Sequence, residues 1–134
     1  MFKYFKTIGA HCGAPEPEYI AIGSSTVMPI GSLCEVEGGA LVCASSAKKS
    51  KFITTESKAV GDGKLKIKCI RVLPGMLVKV DYDGSIDNIS AGSTIAPSVS
   101  DGSCTSCQEG DGGIEVVDVS EYSTKGTVTV TIHC

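Results

Sequence analysis

Gly126-Thr-Val-Thr-Val-Thr-Ile-His-Cys134 alternates apolar and polar side chains without a fault. Val128, Val130 and Ile132 fall on one side, and Thr127, Thr129, Thr131 and His133 on the other. A period of two belongs to a half-buried β-strand, because successive side chains leave opposite faces of a pleated chain. Ile114-Glu115-Val116-Val117-Asp118-Val119 reads as a second strand, with 120–125 the loop between them. Working back toward the N-terminus, the body opens near Tyr19-Ile20-Ala21-Ile22, and strands are predicted over 33–37, 40–44, 52–55, 64–73 and 76–82. Gly38-Gly39 makes a hairpin of 35–42, and Pro74-Gly75 separates the last two strands. The segment 85–113 is rich in Gly, Ser and Asp, with short apolar points at Ile86, Ile89, Ile95 and Val99. No stretch has a comparable helical period. The expected fold class is all-β, a small single-domain β-barrel or β-sandwich.

Length and composition agree. A chain of 134 residues, 42% hydrophobic and 20% charged, suits one globular domain. No apolar run approaches the ~18 residues that a membrane-spanning helix needs. Met1-Phe2-Lys3-Tyr4-Phe5-Lys6 lacks the apolar region of a signal peptide. Seven cysteines, an odd number, fit a reducing compartment better than a disulfide framework.

Residues 1–19 read as an extended arm and 20–134 as the β-rich body. Gly9, Gly13, Pro15 and Pro17 disfavour helix in the arm. Its aromatics, Phe2, Tyr4 and Phe5, either anchor a partner or cover a gap in the protein's own core.

The net charge of −3 hides an uneven distribution. Residues 48–79 hold nine basic groups against Glu56 and Asp62, a segment charge of +7. In Lys64-Leu65-Lys66-Ile67-Lys68-Cys69 the three lysines share one strand face, and Leu65, Ile67 and Cys69 the other. The lysine face is either a solvated guard against edge-to-edge pairing or a contact for an acidic partner. Nucleic acid is not the expected partner: the chain is acidic overall, and no aromatics interleave with the lysines.

Catalytic chemistry is thin. His11 and His133 are the two histidines, no Gly-x-Ser-x-Gly or phosphate loop follows a strand, and pairs such as Asp81/Asp83 suit turns. The expectation is a protein that is not an enzyme and has no cofactor or metal. Cys104-Thr105-Ser106-Cys107 is a lone CxxC flanked by loop-like residues. It reads as two reduced thiols in a surface loop. The alternative is a small β-barrel metal- or ligand-binding module using Cys104 and Cys107, with His133 and Cys134 or His11 and Cys12 completing a zinc site.

The order of GSLCEVEGGALVCAS (31–45), KFITTES (51–57), GDGKLKIKCIRVLPGMLVKVDYDG (61–84), AGSTIAPSVSDG (91–102), GDGGIEVVDVS (110–120) and GTVTVTIHC (126–134) resembles the capsid decoration (cement, or auxiliary head) proteins of tailed bacteriophages. The resemblance runs from about Ile22 to Cys134. It implies a β-tulip-like body that docks on the outside of the capsid, bridges major-capsid subunits and sits there as a homotrimer. It also implies an arm that adds to a sheet of the capsid protein. The expected location is the virion exterior, after synthesis in the host cytoplasm, with no membrane partner. Phe2, Lys3, Tyr4, Phe5 and Lys6 of the arm, with Lys64, Lys66 and Lys68, are the expected partner-binding residues.

Overall fold

The terminal alternation places Val128, Val130 and Ile132 inside a closed barrel in the computed structural model, which describes residues 1–8, 15–45 and 49–133. Among these residues the strands run in chain order β1 (Lys3–Thr7), β2 (Pro17–Ala21), β3 (Leu33–Glu37), β4 (Ala40–Cys43), β5 (Phe52–Thr54) and β6 (Lys66–Arg71). They continue as β7 (Met76–Tyr82), β8 (Thr94–Ser100), β9 (Ser103–Glu109), β10 (Ile114–Asp118) and β11 (Thr127–Ile132). A single helical turn, α1 (Tyr122–Lys125), joins β10 to β11. The protein is all-β, as its sequence predicts.

The barrel order is β7–β11–β10–β8–β9, and a short parallel pairing of β9 with β7 closes the ring at Asp81↔Ser106 and Tyr82↔Cys107. Strand β1 lies on the same edge of β7 as β9 does. It takes the first half, from Lys3↔Lys79 to Thr7↔Met76, and leaves the second half to β9. Val78, Val80, Ile95, Ile114, Val116, Val128 and Val130 fill the barrel. Closure removes the edges that an open sheet of these strands would expose.

The second sheet is antiparallel, in the order β2–β6–β5–β3–β4. Its β3–β4 hairpin turns at Gly38 and Gly39 with φ of +59° and +83°, the mirror-image geometry that matches strand twist and favours glycine. Leu33, Ile53 and Ile70 belong to the barrel's core cluster. Ile22, Met28, Cys34, Leu41, Phe52, Ile67 and Cys69 make a separate one.

Three expectations are corrected. First, the described parts of 1–19 are not an arm lying off the body. Residues 3–7 and 17–21 are strands of the two sheets, and Phe2 is 1% exposed. The reason is local: Phe2 and Tyr4 share one side of an alternating segment, and the Phe2 N–H donates to the Gly31 carbonyl at 2.8 Å. Gly31 and Gly75 bracket the strand. A Cβ on Gly31 would strike the Met1 side chain, and one on Gly75 the Ile8 carbonyl. Residues 9–14 of the expected arm lie outside the described residues.

Second, 85–113 contains β8 and β9, so Cys104 and Cys107 are in a strand and not a surface loop. Asp101-Gly102, both at positive φ (+51° and +74°), is the hairpin turn between them. Third, β6 begins at Lys66, and Leu65 is 74% exposed rather than sharing the buried face of Ile67 and Cys69.

Candidate docking surface

Strand β1 carries its chemistry on the outside because of one extra residue. Register runs from Tyr4↔Val78 straight to Lys6↔Leu77, so Phe5 is a bulge residue without a partner on β7. A regular strand would return the side chain after Phe5 to the inner face. The bulge instead leaves Lys3, Phe5 and Lys6 all exposed, while Tyr4 and Thr7 are half-buried and bonded to each other at 3.0 Å.

The Phe5 ring, 45% exposed, is held between two ammonium groups. Lys79 Nζ lies 4.3 Å and Lys6 Nζ 5.2 Å from its centroid. Such contacts are worth about 0.5–1 kcal/mol at exposed sites. Lys79 also donates to Glu121 Oε1 at 2.6 Å, and Lys125 lies 3.5 Å from Glu121 Oε2. The Lys79 hydrogen bond holds the Glu121 carboxyl below its usual range. Lys3 stands opposite Lys79 in the ladder, a like-charge pair that leaves the face cationic. Together Lys3, Tyr4, Phe5, Lys79, Asp81, Glu121, Lys125 and Thr127 line a shallow cleft of about 340 Å³. Among the described residues no strand pairs with the other edge of β1. The arrangement offers an apolar ring and a positive rim beside the outer edge of β1. It can take an extended, acidic segment.

The residues singled out from the sequence divide into three groups. Lys3, Tyr4, Phe5 and Lys6 come together on or beside this cleft. Phe2 does not: it is buried in the core. Lys64, Lys66 and Lys68 lie elsewhere, at the start of β6 in the second sheet and just before it. Lys64 Nζ donates to the Ser57 carbonyl at 2.8 Å, Lys66 is exposed, and the Lys68 N–H donates to Glu56 at 2.7 Å. Tyr19, opposite Lys68 in the ladder, is exposed beside them. The sequence reading missed Lys79, Asp81, Glu121 and Lys125. The alternation of β7 already placed Lys79 and Asp81 on one outward face. What was not legible was that β1 would lie against them.

Cys104 and Cys107 both point into the barrel, each 0% exposed. Residues three apart on a regular strand face opposite ways. Here Ser98↔Ser106 is followed by Val99↔Cys104, so Thr105 is a bulge that resets the alternation. Burial pushes the Cys104 thiol up to about 12 and raises Cys107 as well, so neither is a ready thiolate. His133 is exposed, 3.7 Å from Glu115. His11, Cys12 and Cys134 lie outside the described residues. Among the described residues no group of three His, Cys, Asp or Glu side chains is arranged to hold a metal ion. No helix among them is long and apolar enough to cross a membrane. No family description, curated protein or solved structure matches the chain.

Proposed function

We propose that this is a structural, non-catalytic subunit that docks its β1 face on the outer surface of a phage capsid and bridges major-capsid subunits. In this reading it works on the virion exterior, as three copies around a local symmetry axis. Several weak contacts acting together then give avidity without a tight single site. The observation that carries the reading is Phe5, bulged outward between Lys6 and Lys79 on a β1 edge that no other described strand pairs. Backbone pairing at such an edge supplies affinity, and the pocketed side chains supply choice of partner. The resemblance of the chain's segment order to decoration proteins supplies the class of partner.

The test is occupancy on expanded capsids stripped of decoration protein, measured by co-sedimentation across salt concentrations. Phe5→Ala and Lys79→Glu are each expected to weaken binding at least tenfold, and Lys79→Glu to flatten its salt dependence. A triple reversal of Lys64, Lys66 and Lys68 to Glu reports whether the second sheet also touches the shell. Wild-type occupancy of both β1-face variants would overturn the proposal.

A further inference from the structure

The β3–β4 hairpin sets two cysteines opposite each other in its ladder. Its turn has two residues, Gly38 and Gly39, so pairing steps outward from Glu37↔Ala40 through Val36↔Leu41 and Glu35↔Val42 to Cys34↔Cys43. In an antiparallel ladder, hydrogen-bonded and non-hydrogen-bonded pairs alternate. Leu33 and Ala44 are a bonded pair, with the Ala44 N–H donating to the Leu33 carbonyl at 3.1 Å. Cys34 and Cys43 therefore form a non-bonded pair, the kind with the closest side chains. Pairs of this kind bring their Cα atoms to about 4.5 Å, within the roughly 4.4–6.8 Å that a disulfide spans. Both thiols are free. Cys34 is fully buried, its Sγ 3.5 Å from Met28 Sδ. Cys43 is half-buried on β4, the last strand of its sheet, and is the more exposed of the two.

We propose that Cys34 and Cys43 are a latent cross-strand disulfide, reduced in a thiol-rich compartment and closed by a low-molecular-weight disulfide such as oxidised glutathione. The Cys43 thiolate attacks one sulfur of the oxidant. A mixed disulfide forms and one glutathione thiolate leaves. Burial raises the Cys34 pKa, so its thiol then attacks the Cys43 sulfur slowly, passing its proton to the second glutathione sulfur, which leaves as a thiol. Two protein thiols lose two electrons and two protons, and the oxidant becomes two thiols. The product staples the hairpin that forms one margin of the second sheet. The inference is independent of the docking reading, because the β1 face takes no part in it.

The experiment uses the full chain in a background with Cys12→Ser and Cys134→Ser, incubated with oxidised glutathione. Free thiols are then alkylated, and the protein is cleaved after glutamate. Cleavage at Glu35 and Glu37 separates Cys34 from Cys43 unless sulfur joins them. The expected result is one linked pair of peptides, a mass loss of two hydrogens, and a rise in Tm of roughly 5 °C that dithiothreitol reverses. Cys43→Ser, at the more accessible and forgiving position, should fold and lose the Tm response. A link from Cys43 to Cys104, a link between molecules, no link at all, or a Tm rise that survives Cys43→Ser would each overturn the proposal.

Discussion

Replacing Phe2 by Ala tests whether the N-terminal strand belongs to the core. Phe2 is 1% exposed and packs in the same cluster as Ile53, Ile70 and Val78. Truncating a buried Phe removes its transfer free energy and leaves a cavity, which together cost about 3–5 kcal/mol. Phe2 lies just before the first residue of β1, outside the paired ladder, where the backbone can relax into the void, so the lower figure of about 3 kcal/mol applies. For 134 residues the unfolding entropy is roughly 280 cal/mol/K, and 3 kcal/mol lowers Tm by roughly 11 °C. That is a large share of a typical stability of about 5–15 kcal/mol. The chain has no Trp, so urea unfolding is followed by circular dichroism and tyrosine fluorescence. Phe5→Ala is the internal control. With its ring half in water, it should change stability by no more than about 2 kcal/mol, the worth of its two cation–π contacts. A loss below about 1 kcal/mol for Phe2→Ala, with an unchanged denaturant slope, would refute the placement of β1 and restore a free arm.

Other outcomes follow from single groups. The Asp62 carboxylate accepts the N–H groups of Ala59 at 2.9 Å and Lys64 at 3.0 Å and pairs with Lys58. These contacts, the Ala59 bond first, lower its pKa from 3.8 to about 2. A depressed folded-state value means the contribution is full above about pH 4 and disappears as pH falls toward 2. Asp62→Asn should therefore lower the urea midpoint at pH 6, and the gap from wild type should close near pH 2. Glu35 and Lys51 form a buried ion pair at 3.4 Å, with the Ser45 hydroxyl donating to Glu35 at 3.0 Å. Lys51→Met should cost about 3 kcal/mol by stranding a buried charge, and Glu35→Leu in the same chain should recover most of it, as read by chemical denaturation. Chelation after reductive purification should leave Tm unchanged within about 1 °C, since Cys104 and Cys107 face the packed barrel interior. Stoichiometric zinc lost with a collapse of Tm would assign them to a metal site instead.

The parts of this fold legible in the sequence are those where alternation runs through most of the strand. β3, β7 and β11 show it, and the glycine pair at 38–39 and the Pro74-Gly75 turn punctuate it. The parts that were illegible carry bulges. In β9 the extra Thr105 turns a polar, serine-rich stretch into one with two buried cysteines, a pattern that matches neither a strand period nor a helix period. In β8 the inward Ile95 is followed by Pro97 and an exposed Val99, so little apolar periodicity remains. The Asp101-Gly102 dipeptide was the available signal for this hairpin, but without apolar runs on either side it reads as loop. The candidate site suffered in the same way. Phe5 and the arm lysines stood out as residue types. The cleft they help to line depends on pairing between β1 and β7, some seventy positions apart (Lys3↔Lys79), and no local pattern encodes that.

The placement of β1 changes what docking on it would require. An arm that ordered only on its partner would lose about 1–2 kcal/mol of backbone entropy for each residue fixed, roughly 5–10 kcal/mol over five residues. In this protein that loss is already met in folding, because Phe2 and Tyr4 pack against the barrel core while Lys3, Phe5 and Lys6 face out. A partner meets a preformed edge and a preset ring, and more of the contact energy is available as affinity. The same two-sidedness couples docking to stability. Inward substitutions unfold the strand and lose binding indirectly, whereas outward ones reach binding alone. A partner that adds to β1 also raises the protein's melting temperature, because it binds the folded state and not the unfolded one. An arm that folds on contact would leave the body's melting temperature where it was, so the two pictures separate in a single thermal scan of bound and free protein.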